Sequence, residues 1–498
     1  MKKLLCVLLS LALLAGCAAP AVGTTPAESK VIHIELSNDG ISFESAAGDA
    51  VGWNDDIIYY EAGHGSDYGE GESFDAHTAE EAAEYPVVLI TEPGTYELTG
   101  YDYNGQVAVD LGEGAKDDPN AVVNLILKAN ITCKVAPAII FYNVYESNDP
   151  GSTGANIILD GSRSKIRGSH VAKIYQPGTE ETLHKYDGAI YSRMSMTVSG
   201  DGELQIYADN EGLCSEKHLT INGGSISIQS ANDCINANAD GESVVTVNGG
   251  HLRCASNGTS GEGDGIDSNG SIVINGGTVE SYACADSGDF GLDADLGVQI
   301  IGGTVIATGN MLDRIDGSQT HAVFSFTETQ PGGVYTLKGQ DSAPVIEADT
   351  PNAFRYLLLS SPDLAEGTYT LWSGDTQFEG LAGMGGGFFG DHGPIERPEF
   401  PEKGDGDVEI PPQPTMPIVT QGEQPENMPV PPMPGDGTDM PVPPQPEGSE
   451  NMPIPQPPAG VQPPQGGRQP VQIITGTLSG DFPIKTGGNY FMNVRSMA

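Results

Sequence analysis

The chain has 498 residues, 38% of them hydrophobic, and sets 68 acidic side chains against 22 basic ones, a formal charge of −46. That balance excludes electrostatic attraction to nucleic acid or to anionic lipid headgroups, and it favours the gathering of divalent cations. Seven cysteines over this length are too few for a disulfide scaffold.

The N-terminus reads as an export leader. Lys2 and Lys3 supply the positive start, Leu4 to Leu14 the apolar run, and Leu14-Ala-Gly-Cys17 the cut site. The run is too short to cross a bilayer as a helix. The phrase resembles a bacterial lipobox, which implies that residues 1–16 are removed and that Cys17 becomes a lipidated first residue. The mature protein is then held on the extracellular face of the cell membrane. An ordinary signal peptide with an incidental cysteine is the alternative. Residues 17–30, rich in Ala, Pro and Thr, form a tether. Five cysteines remain beyond Cys17: Cys133, Cys214, Cys234, Cys254 and Cys284. The evenly spaced Cys214, Cys234 and Cys254 fall at three different positions of the repeat described next. They are read as buried small hydrophobes, not as a metal cluster.

Residues 31–121 alternate strand-like pieces with acidic loops. Val31-Ile-His-Ile-Glu-Leu, Pro86-Val-Val-Leu-Ile and Gly94-Thr-Tyr-Glu-Leu-Thr-Gly are the clearest strands. From residue 122 to 379 the strands become rhythmic. Gly-Gly pairs begin at Gly223, Gly249, Gly276 and Gly302, spacings of 26, 27 and 26 residues. They sit in the phrases Leu219-Thr-Ile-Asn-Gly-Gly, Val245-Thr-Val-Asn-Gly-Gly, Ile272-Val-Ile-Asn-Gly-Gly and Val298-Gln-Ile-Ile-Gly-Gly. Each repeat alternates apolar and polar residues on both sides of the glycines, as half-buried strands require. The expected inward residues are Leu219, Ile221, Ile226 and Ile228, then Val245, Val247, Leu252 and Cys254. The set continues with Ile272, Ile274, Val279 and Ser281, and ends with Val298, Ile300, Val305 and Ala307. The glycines provide a corner that side chains would obstruct. Asn222, Asn248 and Asn275 precede that corner and are placed to form a hydrogen-bonded ladder at about 4.8 Å per step.

A short all-strand repeat of this length predicts an all-β chain folded as a parallel β-helix, a solenoid of stacked coils. A β-propeller is the rival, but its four-stranded blades need a longer unit. From 380 to 470 the chain changes character. Most of the 36 prolines lie there, in phrases such as Asn427-Met-Pro-Val-Pro-Pro and Asp439-Met-Pro-Val-Pro-Pro. The segment is read as a disordered Pro/Gly-rich insertion. Residues 471–498 regain strand character and return to the domain.

A second phrase precedes each repeat: Asp187-Gly-Ala-Ile190, Glu211-Gly-Leu213, Asp233-Cys-Ile235, Asp264-Gly-Ile266 and Asp289-Phe-Gly-Leu292. In a stack its acidic residues form a column along one edge. Like charges at that spacing repel by about 1 kcal/mol per close pair in water. Calcium relieves the repulsion, because it accepts six to eight oxygen ligands in loose geometry. The candidate ligands are Asp233, Asp264, Asp267, Asp289, Asp293 and Asp295. Each of them alone also fits an Asp-Gly turn residue bonded to its own backbone. No EF-hand loop is present.

A long flat face suits a linear polysaccharide, with outward aromatics stacking on sugar rings. Tyr186, Tyr191, Tyr207 and Tyr282 lie in or beside the repeats and are the candidate platforms. Trp53 and Trp372 lie outside them. At this level the sequence resembles a family of bacterial carbohydrate-binding surface lipoproteins with a calcium-bound parallel β-helix, related in shape to polysaccharide lyases of the right-handed type. The resemblance runs over most of residues 85–372. It rests on Gly94-Thr-Tyr-Glu-Leu-Thr-Gly, Gly105-Gln-Val-Ala-Val-Asp, Val123-Asn-Leu-Ile-Leu-Lys-Ala-Asn-Ile, Ala136-Pro-Ala-Ile-Ile-Phe, the Asp-Gly-Ile and Asn-Gly-Gly phrases, and Gly367-Thr-Tyr-Thr-Leu. It implies a right-handed β-helix, calcium as cofactor, and binding of cellulose-like or pectin-like polymers at the cell surface. Cys234 stands where the family has glycine, and Phe290 shifts the register by one residue.

Three functions fit these residues. The leading one is noncatalytic, calcium-dependent polysaccharide binding. A lyase or hydrolase acting on uronate polymers is the second; a lyase needs a base of lowered pKa. The repeats offer few cations, among them Lys185, Arg193, Lys217, Arg253 and Arg314, and Lys217 follows Glu216, whose charge opposes such lowering. A structural adhesin without glycan specificity is the third.

Overall fold

The computed structural model describes residues 31–38, 40–43, 50–54, 85–168, 172–175, 182–382 and 477–497. The leader, Cys17, the tether and residues 383–476 with the Pro-rich segment lie outside the described residues. The chain divides into two units, 1–400 with 474–498 and 401–473, and every described residue belongs to the first.

Within that unit the protein is all-β, with parallel sheets, and no α-helix occurs among the described residues. Three ladders of parallel strands carry the repeats. The first contains Ala155–Leu159, Met196–Gly200, Leu219–Ile221, Val244–Val247, Ser271–Ile274 and Gly297–Ile300. The second, after the Gly-Gly corner, contains Arg163–Gly168, Glu203–Ala208, Ser225–Ser230, His251–Ser256, Thr278–Tyr282 and Thr304–Gly309. The third contains Gln106–Asp110, Ile139–Asn143, Gly188–Ser192, Glu211–Ser215, Ile235–Ala237, Ile266–Ser268 and Leu292–Ala294. Within each ladder, successive strands pair parallel, one repeat with the next. Parallel pairing departs from the antiparallel blades of a propeller.

The register follows from the apolar pattern. All sixteen residues expected to point inward, from Leu219 to Ala307, are buried. Each large aliphatic among them contributes about 1.5–3 kcal/mol over an exposed position. The corner glycines Gly224, Gly250, Gly277 and Gly303 all take φ between 83° and 90°, a region other residues avoid. Their neighbours leave no room either: a Cβ on Gly250 would meet the Gly224 carbonyl oxygen at 2.5 Å. Just before the corner the asparagine ladder forms, Asn248 donating to Asn222 and Asn275 to Asn248, each at 2.7 Å. Ile301 ends it at the fourth repeat and is left half exposed. The five cysteines beyond Cys17 are free and buried.

Two further parts frame the repeats. At the N-terminal side Val31–Ser37 pairs parallel with Gly94–Asn104, which pairs with Val123–Thr132. At the C-terminal side His321–Gln330 lies antiparallel to Phe354–Ser360 and parallel to Gly488–Ser496. Phe324, Phe326, Tyr335, Phe354, Phe482 and Phe491 build a second core there, which also takes in Tyr282 and Ile306 from the repeats.

Candidate metal centre

The third ladder sets the site. Its register aligns Asn236 with Asp267 and Asp267 with Asp293, while Ile235, Ile266 and Leu292 turn inward beside them. Carboxylate oxygens of Asp264, Asp267 and Asp293 all lie within 4.8 Å of one another, a group able to hold a metal ion. Asp233 adjoins them through the backbone: the Asp264 N–H donates to Asp233 Oδ1 at 2.7 Å. In the next repeat the Phe290 N–H donates to Asp264 Oδ1, also at 2.7 Å. One oxygen each of Asp233 and Asp264 is therefore fixed by the neighbouring repeat.

Burial and mutual repulsion hold these groups far from their ordinary state. Desolvation, then the Asp293 charge, raises the Asp264 pKa to about 9, against which the Phe290 N–H works. The same two causes raise Asp267 to about 7. Asp293 is raised by desolvation and by Asp295 and Asp289. Asp233 is raised well above the carboxylate range by burial and by Asp264 and Asp267. Acidic charges dominate around Asp264 and Asp267. One more oxygen lies in register with the site, on the strand before Asp267. Asn236 is 9% exposed, its Nδ2 donates to Glu211 Oε1 at 3.0 Å, and its Oδ1 is buried without a hydrogen-bond partner. A buried acceptor left unpaired costs about 1–3 kcal/mol, which a cation would relieve.

Of the six expected ligands the structure brings together Asp264, Asp267 and Asp293, with Asp233 bonded to their backbone. Asp289 is turned to other work: it accepts from the Gly263 N–H at 2.6 Å, from the Cys284 thiol at 3.7 Å, and from the Ser287 hydroxyl. Asp295 is exposed and outside the triad. Asp313 was not among the expected residues. It accepts from the Ala294 N–H at 2.9 Å, and burial, opposed by its bond from the Arg314 N–H, raises it to about 6. Its signal was present, since Asp313-Arg-Ile-Asp316 repeats the spacing of Asp264-Gly-Ile-Asp267. A second group lies further back along the same column. Asp187, Glu211 and Cys214, all buried, bring one ligand atom each within 4.8 Å of the others.

The four tyrosines part ways. Tyr186 and Tyr191 are 0% and 2% exposed and pack edge to face at 5.1 Å, with the Tyr191 hydroxyl on Glu216. Tyr282 is fully buried in the second core beneath Arg253. A ring with no open face cannot stack on a sugar, so these three leave the set of platforms. Tyr207 is half-buried and points outward, with the Lys165 ammonium 4.7 Å from its centroid.

Comparison with known proteins gives the family of the chain. A carbohydrate-binding domain-containing protein of Acetivibrio thermocellus is 28% identical over 144 residues, 28% of this chain. The chain spans 44% of that relative's length. A solved structure, a polysaccharide lyase-like protein from C. thermocellum in a gadolinium derivative, aligns over 58% of this chain and 90% of its own. Its identity is 18% and its TM-score 0.35. Residues 85–349, more than half of the chain, match the family model described as carbohydrate-binding domain-containing protein, and the chain belongs to that family.

Proposed function

We propose that this protein is a noncatalytic, calcium-dependent binder of cell-wall or plant polysaccharide, cellulose-like or pectin-like. Its frame would be a right-handed parallel β-helix, lipid-anchored through Cys17 on the extracellular face of the membrane. The observation that carries the glycan reading is the family match over 85–349, laid on an array whose second ladder turns polar side chains outward in straight columns. Linear polymers suit such columns.

The calcium reading rests on the carboxylates. Asp264, Asp267, Asp293 and the unpaired Asn236 Oδ1 are hard oxygen donors from three adjacent repeats, the set that calcium takes. When bound, the ion would supply the positive charge that lets these carboxylates stay ionised together. The protein's own part is to hold the donors. Backbone N–H groups of Asp264 and Phe290 fix one oxygen each on Asp233 and Asp264, leaving the others to converge.

Four cations of the repeats are already engaged, which favours binding over catalysis. Arg193 lies over Tyr142, Lys217 pairs with Glu242, Arg253 with Glu280, and Arg314 with Asp316. A proton-abstracting base needs a lowered pKa, whereas at Arg253 burial is outweighed by Tyr282 and Glu280, which raise it. Retention on insoluble cellulose and on immobilised polygalacturonate, with calcium and with chelator, tests the proposal. Retention lost in chelator without unsaturated products is the expected result. Release of products absorbing in the ultraviolet would make the protein a lyase, and no retention on either polymer would leave an adhesin.

A further inference from the structure

In a chain of charge −46, the strand Arg163–Gly168 sends three cations to solvent in succession. Arg163, Lys165 and Arg167 are exposed, while Ser164, Ile166 and Gly168 are buried. Two of the three are neutralised across the next strand, Arg163 by Glu203 at 2.8 Å and Arg167 by Asp209 at 3.3 Å. Lys165 has no ion-pair partner among the described residues. Its backbone N–H is pinned by Asn130 Oδ1 at 3.0 Å, and its ammonium lies over the outward ring of Tyr207. The register continues from Lys165 to Gln205 and Ser227, and from Tyr207 to Gln229. A cation, an aromatic ring and two carboxamides thus share one outward patch, with a small serine beside them.

The same fold contains a matched pair in which every part is used. Arg253 occupies the Lys165 column three strands on, and its partner ring Tyr282 occupies the Tyr207 column one strand further. The cation again sits over the ring, at 4.9 Å. There the protein supplies the anion, Glu280 at 3.2 Å, and the Arg253 guanidinium also donates to the Asp349 carbonyl at 3.2 Å. It covers the ring too, since Tyr282 is buried in the second core. At Lys165 and Tyr207 neither the carboxylate nor the cover is provided among the described residues.

We infer that Lys165 and Tyr207 form a subsite for a carboxylate-bearing sugar unit of an acidic polysaccharide. A pyranose uronate supplies both missing complements: an anion for the ammonium and an apolar C–H face for the ring. Gln205 and Gln229 flank the pair with donors and acceptors for ring hydroxyls. This inference rests on the polysaccharide-binding reading and assigns it a face, the outward side of the second ladder, away from the carboxylate centre.

The test is the affinity of the full chain, in calcium, for short oligogalacturonates by titration calorimetry, alongside retention on neutral cellulose. Lys165→Ala should weaken oligogalacturonate binding about tenfold, the loss of one charge-assisted bond, and flatten its salt dependence. Tyr207→Ala should weaken it as well, with both variants melting at the wild-type temperature. Lys338→Ala, which removes an equal charge from above Trp372 in the C-terminal part, should leave the affinity unchanged. Unchanged affinity in Lys165→Ala, or an equal loss in Lys338→Ala, overturns the subsite. Wild-type binding to cellulose but not to oligogalacturonates overturns it and leaves polysaccharide binding standing. Binding to neither overturns both.

Discussion

Asp267 and Asp293 are direct register partners on adjacent parallel strands, so two carboxylates confront each other across a single inter-strand step. Two like charges at that step repel, and a bound cation, as proposed, would relieve the repulsion. Calcium at about a hundredfold over its Kd should add about 2.7 kcal/mol, read as a rise of several degrees in melting temperature. Asp267→Asn should abolish that rise while melting no lower than wild type in chelator, because it removes a repelling charge and keeps the shape. A melting temperature that falls equally in calcium and in chelator would assign Asp267 a turn role.

The pH dependence of the metal-free protein should run opposite to that of a salt-bridged one. Asp264 at about 9 and Asp267 at about 7 stand above their ordinary 3.8, so the folded state holds protons that the unfolded chain has released. The stability this confers is complete below pH 3.8 and is lost as the pH climbs through 7 and then 9. Denaturation in chelator across pH 5–9 should show stability falling with pH from these groups. Calcium should reverse the trend, since it binds the ionised form.

The asparagine ladder should show a position effect. Asn248 both donates to Asn222 and accepts from Asn275, whereas each of those makes one rung. Asn248→Ala should therefore cost about twice what Asn222→Ala costs, at about 0.5–1.5 kcal/mol per rung. Equal costs by chemical denaturation would mean the rungs contribute nothing beyond the single residue.

Two glycines of the same backbone hand should respond differently to a methyl group. Gly250, at φ 87°, would place a Cβ 2.5 Å from the Gly224 carbonyl, while Gly241, at φ 68°, would meet nothing within 4 Å. Gly241→Ala should cost about 1 kcal/mol, the left-handed penalty alone. Gly250→Ala should cost clearly more, as a shift in unfolding midpoint at unchanged slope.

The repeats were legible because the features that build them are local. A Gly-Gly corner, alternating aliphatics and an asparagine before the turn each follow from one strand's own requirements, and the pairing places them all as read. The carboxylate column was legible only by residue type. Between Ile235 and Ile266 the chain makes a longer excursion than between Ile266 and Leu292, and loops of unequal length decide which acids converge. Asp289 illustrates this: Phe290 displaces it by one residue, and the Gly263 N–H captures it. Asp313 hid for a different reason, since its companion Ile315 pairs with Val298 in the first ladder. The tyrosines fail on a matter no single strand records. Tyr282 points away from its own sheet, yet residues from beyond position 320 cover it.

In-register pairing from one repeat to the next makes the length of this protein a quantised variable. Excising residues from Val245 to Ser271, one full repeat, would bring Ile221 and Ile274 onto neighbouring rungs with every inward side chain still inward. An excision one residue shorter or longer would turn a strand inside out unless a loop absorbed the difference. Gains and losses in such a gene are thus expected in whole repeats, so that related chains would differ in length by about 26 or 27 residues at a time while each strand keeps its register.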